Sequence, residues 1–274
     1  MNVEAWLLTT SKVLSDNSID TARLDTEVLL ADELQKDRSW LVAHADDAIN
    51  IKILERLNSK ANQRAQHIPL AYIRNKQEFY GRDFYVNSHV LVPRPESEAI
   101  IELLKELELP PNARIADVGC GSGCLGITAA LERPDTVVSF LDIDKNALAV
   151  TKKNASSYGL TGQEYYQGNL LEAHPEEYDV LICNLPYVPQ NYPVNEATKH
   201  EPKIALFSGA DGLVHYRTLF KQLQTKFYGN PIILAEALLN QQSKLKKIAE
   251  ESGWKFIRKN GLALLFETYE QDHC

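Results

Sequence analysis

The feature that most constrains this chain is a change of period at residue 114. From there to residue 251, short apolar runs alternate with longer stretches of helical spacing. Residues 114–118, 137–143, 164–167, 180–183 and 232–235 read as strands, and 124–132, 145–158, 216–227 and 238–251 read as helices. Such alternation folds as a doubly wound parallel sheet, because each parallel connection needs a crossover and a helix supplies it. The end breaks the pattern. Residues 254–259 and 262–268 flank Asn260-Gly261, the strongest short-range hairpin signal. The expected fold class is therefore α/β, with a parallel sheet ending in an antiparallel hairpin.

The first 70 or so residues are different. Val3, Trp6, Leu7, Val13 and Leu14 sit at helical spacing, as do Leu24, Val28, Ala31 and Leu34 behind an Asp20-Thr21 cap. Leu54, Leu57, Ala61 and Ala65 form another stripe. These predict a small helical bundle at 1–73 whose stripes are core packing. Residues 74–95 predict a linking β-hairpin, with Phe84, Val86, Val90 and Val92 as strand positions and Pro93-Arg94-Pro95 as a stiff close. A catalytic domain over 96–274 opens on a helix at 97–108.

A parallel sheet closed by an antiparallel hairpin is the outline of a Rossmann-like class I methyltransferase rather than a dehydrogenase. The loop after the first strand of the sheet, DVGCGSGCLGI, agrees. Asp117 ends a strand, Gly119, Gly121 and Gly123 follow at alternate positions with Cys120 and Ser122 between them, and a helix begins. Glycines let a ligand approach the main chain, and a helix N-terminus offers free N–H groups. Asp142, at the end of the next strand, can hold both ribose hydroxyls. Gly121, Gly123 and Gly126 also satisfy the dinucleotide fingerprint, so the loop points to a nucleoside-containing cofactor of either kind. Asp117 favours S-adenosylmethionine, since a carboxylate attracts an ammonium and repels a pyrophosphate.

The strand at 180–183 runs straight into Asn184-Leu185-Pro186-Tyr187. Carboxyl ends of parallel strands face the ligand crevice. The Asn184 amide oxygen and the Leu185 main-chain carbonyl can each accept from a substrate –NH2, with Pro186 stiffening the turn and Tyr187 offering an aromatic face. An amide or exocyclic amine nitrogen is a poor nucleophile because its lone pair is delocalised. Two acceptors gripping its hydrogens favour a pyramidal nitrogen and stabilise the charge that develops there.

These residues resemble the HemK/PrmC family of release factor glutamine methyltransferases. TARLDTEVLLADEL, PLAYIRNKQEFYGRDFYVNSHVLVPRPESE, DVGCGSGCLGI, LDIDKNALAVTKKNA and EPKIALFSGADGL carry the resemblance over most of the length. It implies an N-terminal domain that engages a release factor, and methyl transfer from S-adenosylmethionine to the side-chain nitrogen of the glutamine in that factor's Gly-Gly-Gln motif. It implies cofactor binding by Asp117, Gly119 to Gly123 and Asp142. Asn169-Leu170 aligns with the family's Gly-Asp-aromatic region beside the adenine. Asn184 to Tyr187 would hold the substrate glutamine, with Asn184 beside the cofactor as well. Two departures stand out. Leu185 replaces the first proline of an Asn-Pro-Pro-Tyr turn, keeping the carbonyl and losing rigidity. The family's Asp and Arg near the C-terminus are replaced by a short hairpin.

Other substrates share this chemistry: a glutamine on another protein such as a ribosomal protein, or the N6 of adenine in nucleic acid. A non-catalytic cofactor-binding protein is a further alternative. Charge argues against nucleic acid. The chain carries 29 basic and 37 acidic residues for a net −8. The part up to residue 75 has 9 against 11, leaving 20 against 26 in the rest, so neither is basic. No apolar run approaches the ~18 residues of a membrane span, and the start lacks the marks of a secretory signal. Cys120, Cys124, Cys183 and Cys274 suggest a reducing cytoplasm rather than disulfides. Cys120 and Cys124 are poorly spaced for zinc, and no metal site is expected. An Arg94 or Glu96 salt bridge is expected to join the domains, His200-Glu201 to lie in a solvated loop, and Glu236 to be a secondary site candidate. A monomer is expected.

Overall fold

The computed structural model describes residues 1–269 except Pro175, Lys226 and Phe227. Phe227, the expected end of a helix, and Cys274 lie outside the described residues. The chain divides into two units, one of residues 1–76 with 194–200, the other of 77–193 with 201–274.

The first unit is helical: α1 (Val3–Asp16), α2 (Ala22–Leu34), α3 (Arg38–Ala43), α4 (Ile51–Ala65) and α5 (Leu70–Arg74). Its core gathers Trp6, Leu7, Leu29, Leu30, Leu41, Leu57 and Ala61. The inward face of α2 differs from the expected stripe. Asp25, Thr26, Leu29 and Leu30 are buried, whereas Leu24 is 43% exposed. Asp25 belongs inside because Arg64 of α4 reaches it, Nε to Oδ2 at 2.6 Å. A buried ion pair looks polar in a hydropathy pattern and so displaces the apparent stripe by one position. Thr21 makes no side-chain cap. Asn2, Asp37 and Asn50 do cap α1, α3 and α4.

The second unit opens with a short hairpin, β1 (Gln77–Phe79) and β2 (Arg82–Phe84). It is shorter than the sequence predicts. Val86, Val90 and Val92 are buried but lie outside any strand. The ladder stops at Tyr85 because the Asn154 side chain takes both of its main-chain groups, accepting from its N–H at 2.8 Å and donating to its carbonyl at 2.9 Å. A 3-10 turn (Pro95–Ser97) then leads into α6 (Glu98–Lys105).

The remaining elements are β3 (Arg114–Val118), α7 (Cys124–Glu132), β4 (Val137–Asp142), α8 (Lys145–Ser157), β5 (Glu164–Gln167), β6 (Val180–Cys183), α9 (Val214–Thr225), β7 (Ile232–Glu236), α10 (Gln242–Glu251), β8 (Trp254–Asn260) and β9 (Ala263–Thr268). They build one seven-stranded sheet in the order β5-β4-β3-β6-β7-β9-β8. The first five are mutually parallel, β9 is antiparallel to β7, and β8 is antiparallel to β9. Strand order reverses between β3 and β6, the point where such sheets open a ligand crevice. One face of the sheet packs Ile115, Ile127, Phe140, Ile182 and Leu234; the other packs Val118, Leu181, Tyr216, Phe220 and Phe266. Helix α10 begins four residues later than its period suggests. The Gln241 side chain is committed to the preceding loop, accepting from Leu238 N–H and donating to the carbonyls of Tyr187 and Asp211.

Candidate active site

At the carboxyl ends of β3, β4 and β6 the second unit holds a cavity. Asp117, Gly119, Cys120, Gly121, Ser122, Asp142, Asn169, Leu170, Asn184, Leu185 and Pro186 all line it. Two expected residues do not. Gly123 is packed against Thr151 and Ile127 instead, and the Tyr187 ring packs toward the sheet core with its hydroxyl donating to Glu236 Oε1 at 2.7 Å.

The glycine loop owes its path to particular neighbours. Gly121 has φ +57°, and a Cβ there would meet nothing within 4 Å, so its bare Cα faces open space. Gly123, at φ +77°, would put a Cβ 2.6 Å from Thr151 Cγ2. Gly126 explains the fingerprint ambiguity. A Cβ there would lie 2.6 Å from Phe140 and 2.7 Å from Asp117 Oδ2, so that glycine serves helix-on-strand packing.

Asp117, Asp142 and Asp144 line the cavity, and the first two have carboxyls held by main-chain N–H groups beside it. Asp117 is buried, and its Oδ2 accepts from Gly126 N–H at 2.8 Å. Burial, with the Asp142 charge adding to it, raises its pKa to about 7. Asp142 accepts from Gly121 N–H and Asp144 N–H, both at 2.9 Å, one on each oxygen. These bonds fix the carboxyl and leave each oxygen a further lone pair for a hydroxyl. Burial raises its pKa too. A buried carboxyl that resists ionisation gains most from a cationic ligand.

Leu170 stands at φ +55°, a left-handed conformation that costs a leucine about 1–2 kcal/mol. The Gln222 side chain clamps the segment, accepting from Leu171 N–H and donating to the Asn169 carbonyl. Leu185 accounts for the missing proline. Its side chain is buried in the sheet core, and its Cδ2 lies 3.3 Å from where a Gly119 Cβ would sit. Burial of the leucine, about 1.5–3 kcal/mol, pins the turn in place of a ring.

Several participants were not singled out by sequence. Asn184 Nδ2 donates to Ser97 Oγ at 2.8 Å, which leaves Oδ1 as the free acceptor of that amide. Glu201, expected in solvent, is buried. It accepts from Val92 N–H and from Arg94 Nη2, tying the loop that carries Ile204 and Ala205 to the loop from His89 to Ser97; both loops line the cavity. Arg94 thus pairs inside the second unit instead of joining domains. Ser97 had no legible signal, because serine before a helix reads as a cap, whereas Glu201 was noted after the Asn184 turn but read as solvated, as a glutamate in a polar run usually is. Burial raises the thiols of Cys120 and Cys183, and pushes Cys124 up to about 12, so all three stay protonated. Among the described residues no cluster of His, Cys, Asp and Glu could hold a metal ion.

Residues 5–74 match the PrmC N-terminal domain family and residues 97–204 the methyltransferase small domain family. The release factor glutamine methyltransferase of Coxiella burnetii is 31% identical over 258 residues, spanning 93% of this chain and 90% of that one. The chain belongs to the release factor glutamine methyltransferase family. A second relative in that family, from Xylella fastidiosa, is 36% identical over 201 residues, 72% of this chain and 73% of its own. The fold is shared with a solved methyltransferase from Pyrococcus furiosus at 14% identity, TM-score 0.51, over 69% of this chain and 89% of that one. The family's methyl donor, S-adenosylmethionine, fits the cavity. Asp117 is a buried carboxyl suited to an ammonium, Asp142 is a fixed acceptor suited to a diol, and Gly121 leaves the main chain bare.

Proposed function

We propose that this chain methylates the side-chain amide nitrogen of a glutamine in a peptide chain release factor, within that factor's Gly-Gly-Gln motif. S-adenosylmethionine supplies, when bound, a methyl group carried on a positively charged sulfur. Asp117 and Asp142 would hold its ammonium and ribose ends, and Asn169 and Leu170 would flank its base. The observation that carries the reading is Asn184. Its NH2 donates to Ser97, which leaves Oδ1 as its acceptor, and Leu185 beside it also lines the cavity and would offer its carbonyl. Both would grip the glutamine N–H groups, favour a pyramidal nitrogen, and stabilise the positive charge that grows on it. The N-methylated amide cation is a strong acid and releases its proton to water, so no protein base is required.

Every group named belongs to one chain, so a monomer suffices. No helix among the described residues is long and apolar enough to cross a membrane, and we assign the activity to the cytoplasm. The helical unit at its N-terminus would engage the release factor.

The test is transfer of labelled methyl to purified release factor carrying Gln or Glu in the Gly-Gly-Gln motif. Label on the glutamine form alone is expected. No label on either, from protein shown to bind the cofactor, overturns the reading. Asn184→Ala should lower turnover about 100- to 1000-fold while leaving cofactor affinity within about threefold, and Asp142→Ala should mainly weaken cofactor binding.

A further inference from the structure

Two buried groups behind the catalytic turn are left over from this account. Ser97 immediately precedes α6, where a serine usually caps the helix, yet its side chain makes no cap bond. Its hydroxyl is buried and accepts from Asn184 Nδ2. Glu236 ends β7, one residue past Ala235, which is registered against Cys183. It is 0% exposed. Tyr187 donates to its Oε1, while Oε2 is buried without a hydrogen-bond partner. Burial raises the Glu236 pKa, with the nearby Glu96 adding to it, and hydrogen bonding from Ser97 and Tyr187 opposes that rise by favouring the charged form.

We propose that Ser97 and Glu236 form a positioning relay that fixes which end of the Asn184 amide faces the substrate. An asparagine amide has two orientations of nearly equal shape, and only its hydrogen-bond partners choose between them. Glu236 Oε2 is a desolvated acceptor in need of a donor, and the Ser97 Oγ–H can rotate onto it. A hydroxyl has one proton. With that proton given to Glu236, Ser97 can only accept from residue 184, so the NH2 of Asn184 faces Ser97 and the oxygen faces the cavity. With the relay broken, the amide is free to turn over and present N–H groups to the substrate's own N–H groups. The remaining neighbours do not compete for this role: Tyr187 is bonded to Oε1, and the Tyr216 hydroxyl is engaged with the Cys183 and Glu236 carbonyls.

The inference rests on the functional reading above, and the test separates the two. Ser97→Ala and Glu236→Gln are assayed for kcat and for KM toward S-adenosylmethionine, beside exchange of the Asn184 side-chain amide protons by NMR, assigned through their loss in Asn184→Asp. The relay predicts a 10- to 100-fold fall in kcat for either variant, with KM within about twofold. The double variant should be no worse than the poorer single one, because both break the same chain. Ser97→Thr, which keeps the hydroxyl, should recover most of the turnover that Ser97→Ala loses. The Asn184 amide protons should exchange slowly in the wild type and quickly in Ser97→Ala. Wild-type turnover in Ser97→Ala, a loss shared equally with cofactor binding, or unchanged amide exchange overturns the proposal. If the wild type transfers no methyl to the release factor, the functional reading falls and the exchange data still decide the relay. Should Glu236→Gln fail to fold, Ser97→Ala and Ser97→Thr carry the test.

Discussion

Asp117 shows how burial couples folding to the protonation of a single residue. Burial raises its pKa from an ordinary 3.8 to about 7. Between those values the folded, ligand-free protein holds a proton that the unfolded chain has released. Its contribution to stability is therefore present in full below about pH 4 and fades as pH rises toward about 7. A cationic ligand reverses the preference, because it favours the ionised carboxyl. Affinity for S-adenosylmethionine should rise with pH up to about 7 and then level, with proton release on binding below that point. Calorimetric titration in buffers of different ionisation enthalpy measures both. Asp117→Asn should flatten the pH dependence and weaken binding. A wild-type affinity that is flat from about pH 5.5 to about pH 8 would remove Asp117 from the ammonium site. The residue's position was legible, since a carboxylate ahead of a glycine loop at a strand end has few other uses. Its bond to Gly126 was not, because that bond depends on how α7 returns over β3.

At the scale of elements, the β3–α7 connection is held by packing as well as by backbone conformation. Gly123→Ala would combine a left-handed φ with a Cβ 2.6 Å from Thr151 and 3.0 Å from Ile127. A loss of about 2–4 kcal/mol in urea unfolding is expected. Gly121→Ala meets no such neighbour and should cost about 1–2 kcal/mol, yet weaken cofactor binding more, since Gly121 lines the cavity and the added methyl would take up open space beside it. Equal effects of the two on binding would contradict that division. Elements were legible where local chemistry sets them. The sheet strands carry near-continuous apolar runs because both faces are covered. The Asn260-Gly261 signal marks the hairpin, although its two-residue turn falls one position later than expected, at Gly261-Leu262, because Asn260 stays in β8 and pairs with Ala263. They were illegible where a distant side chain intervenes. Asn154 ends the β1–β2 ladder from 69 residues away, and Gln241 delays α10 by bonding the turn that ends at Tyr187.

For the whole molecule, the acidic balance bears on partners. A net charge of −8, with neither segment basic, offers no concentrated field for phosphates. Duplex DNA and RNA at physiological ionic strength should neither accept label nor slow transfer to the release factor. Salt-sensitive competition by either would expose a basic surface that the total charge conceals. Neither the division into units nor the cavity follows contiguous sequence. Residues 194–200 fall with the helical unit, where the His200 ring Nε2 lies 3.1 Å from the Gln66 carbonyl. The cavity draws on segments from His89 to His215.

The sequence alone determined the fold class and placed the glycine loop with Asp117 and Asp142, and the Asn184 turn, at the strand ends. Each is written in contiguous residues whose period, glycine placement or strand-end position has a local cause. Only the tertiary structure decided that Leu185 replaces a proline's rigidity by burial, that Gly123 and Tyr187 stand back from the cavity, that Ser97 lines it, and that Glu201 and Glu236 do not. Those outcomes depend on desolvation and on hydrogen bonds between residues tens to more than a hundred positions apart. A buried polar group has the same letter as a solvated one, and only packing tells them apart.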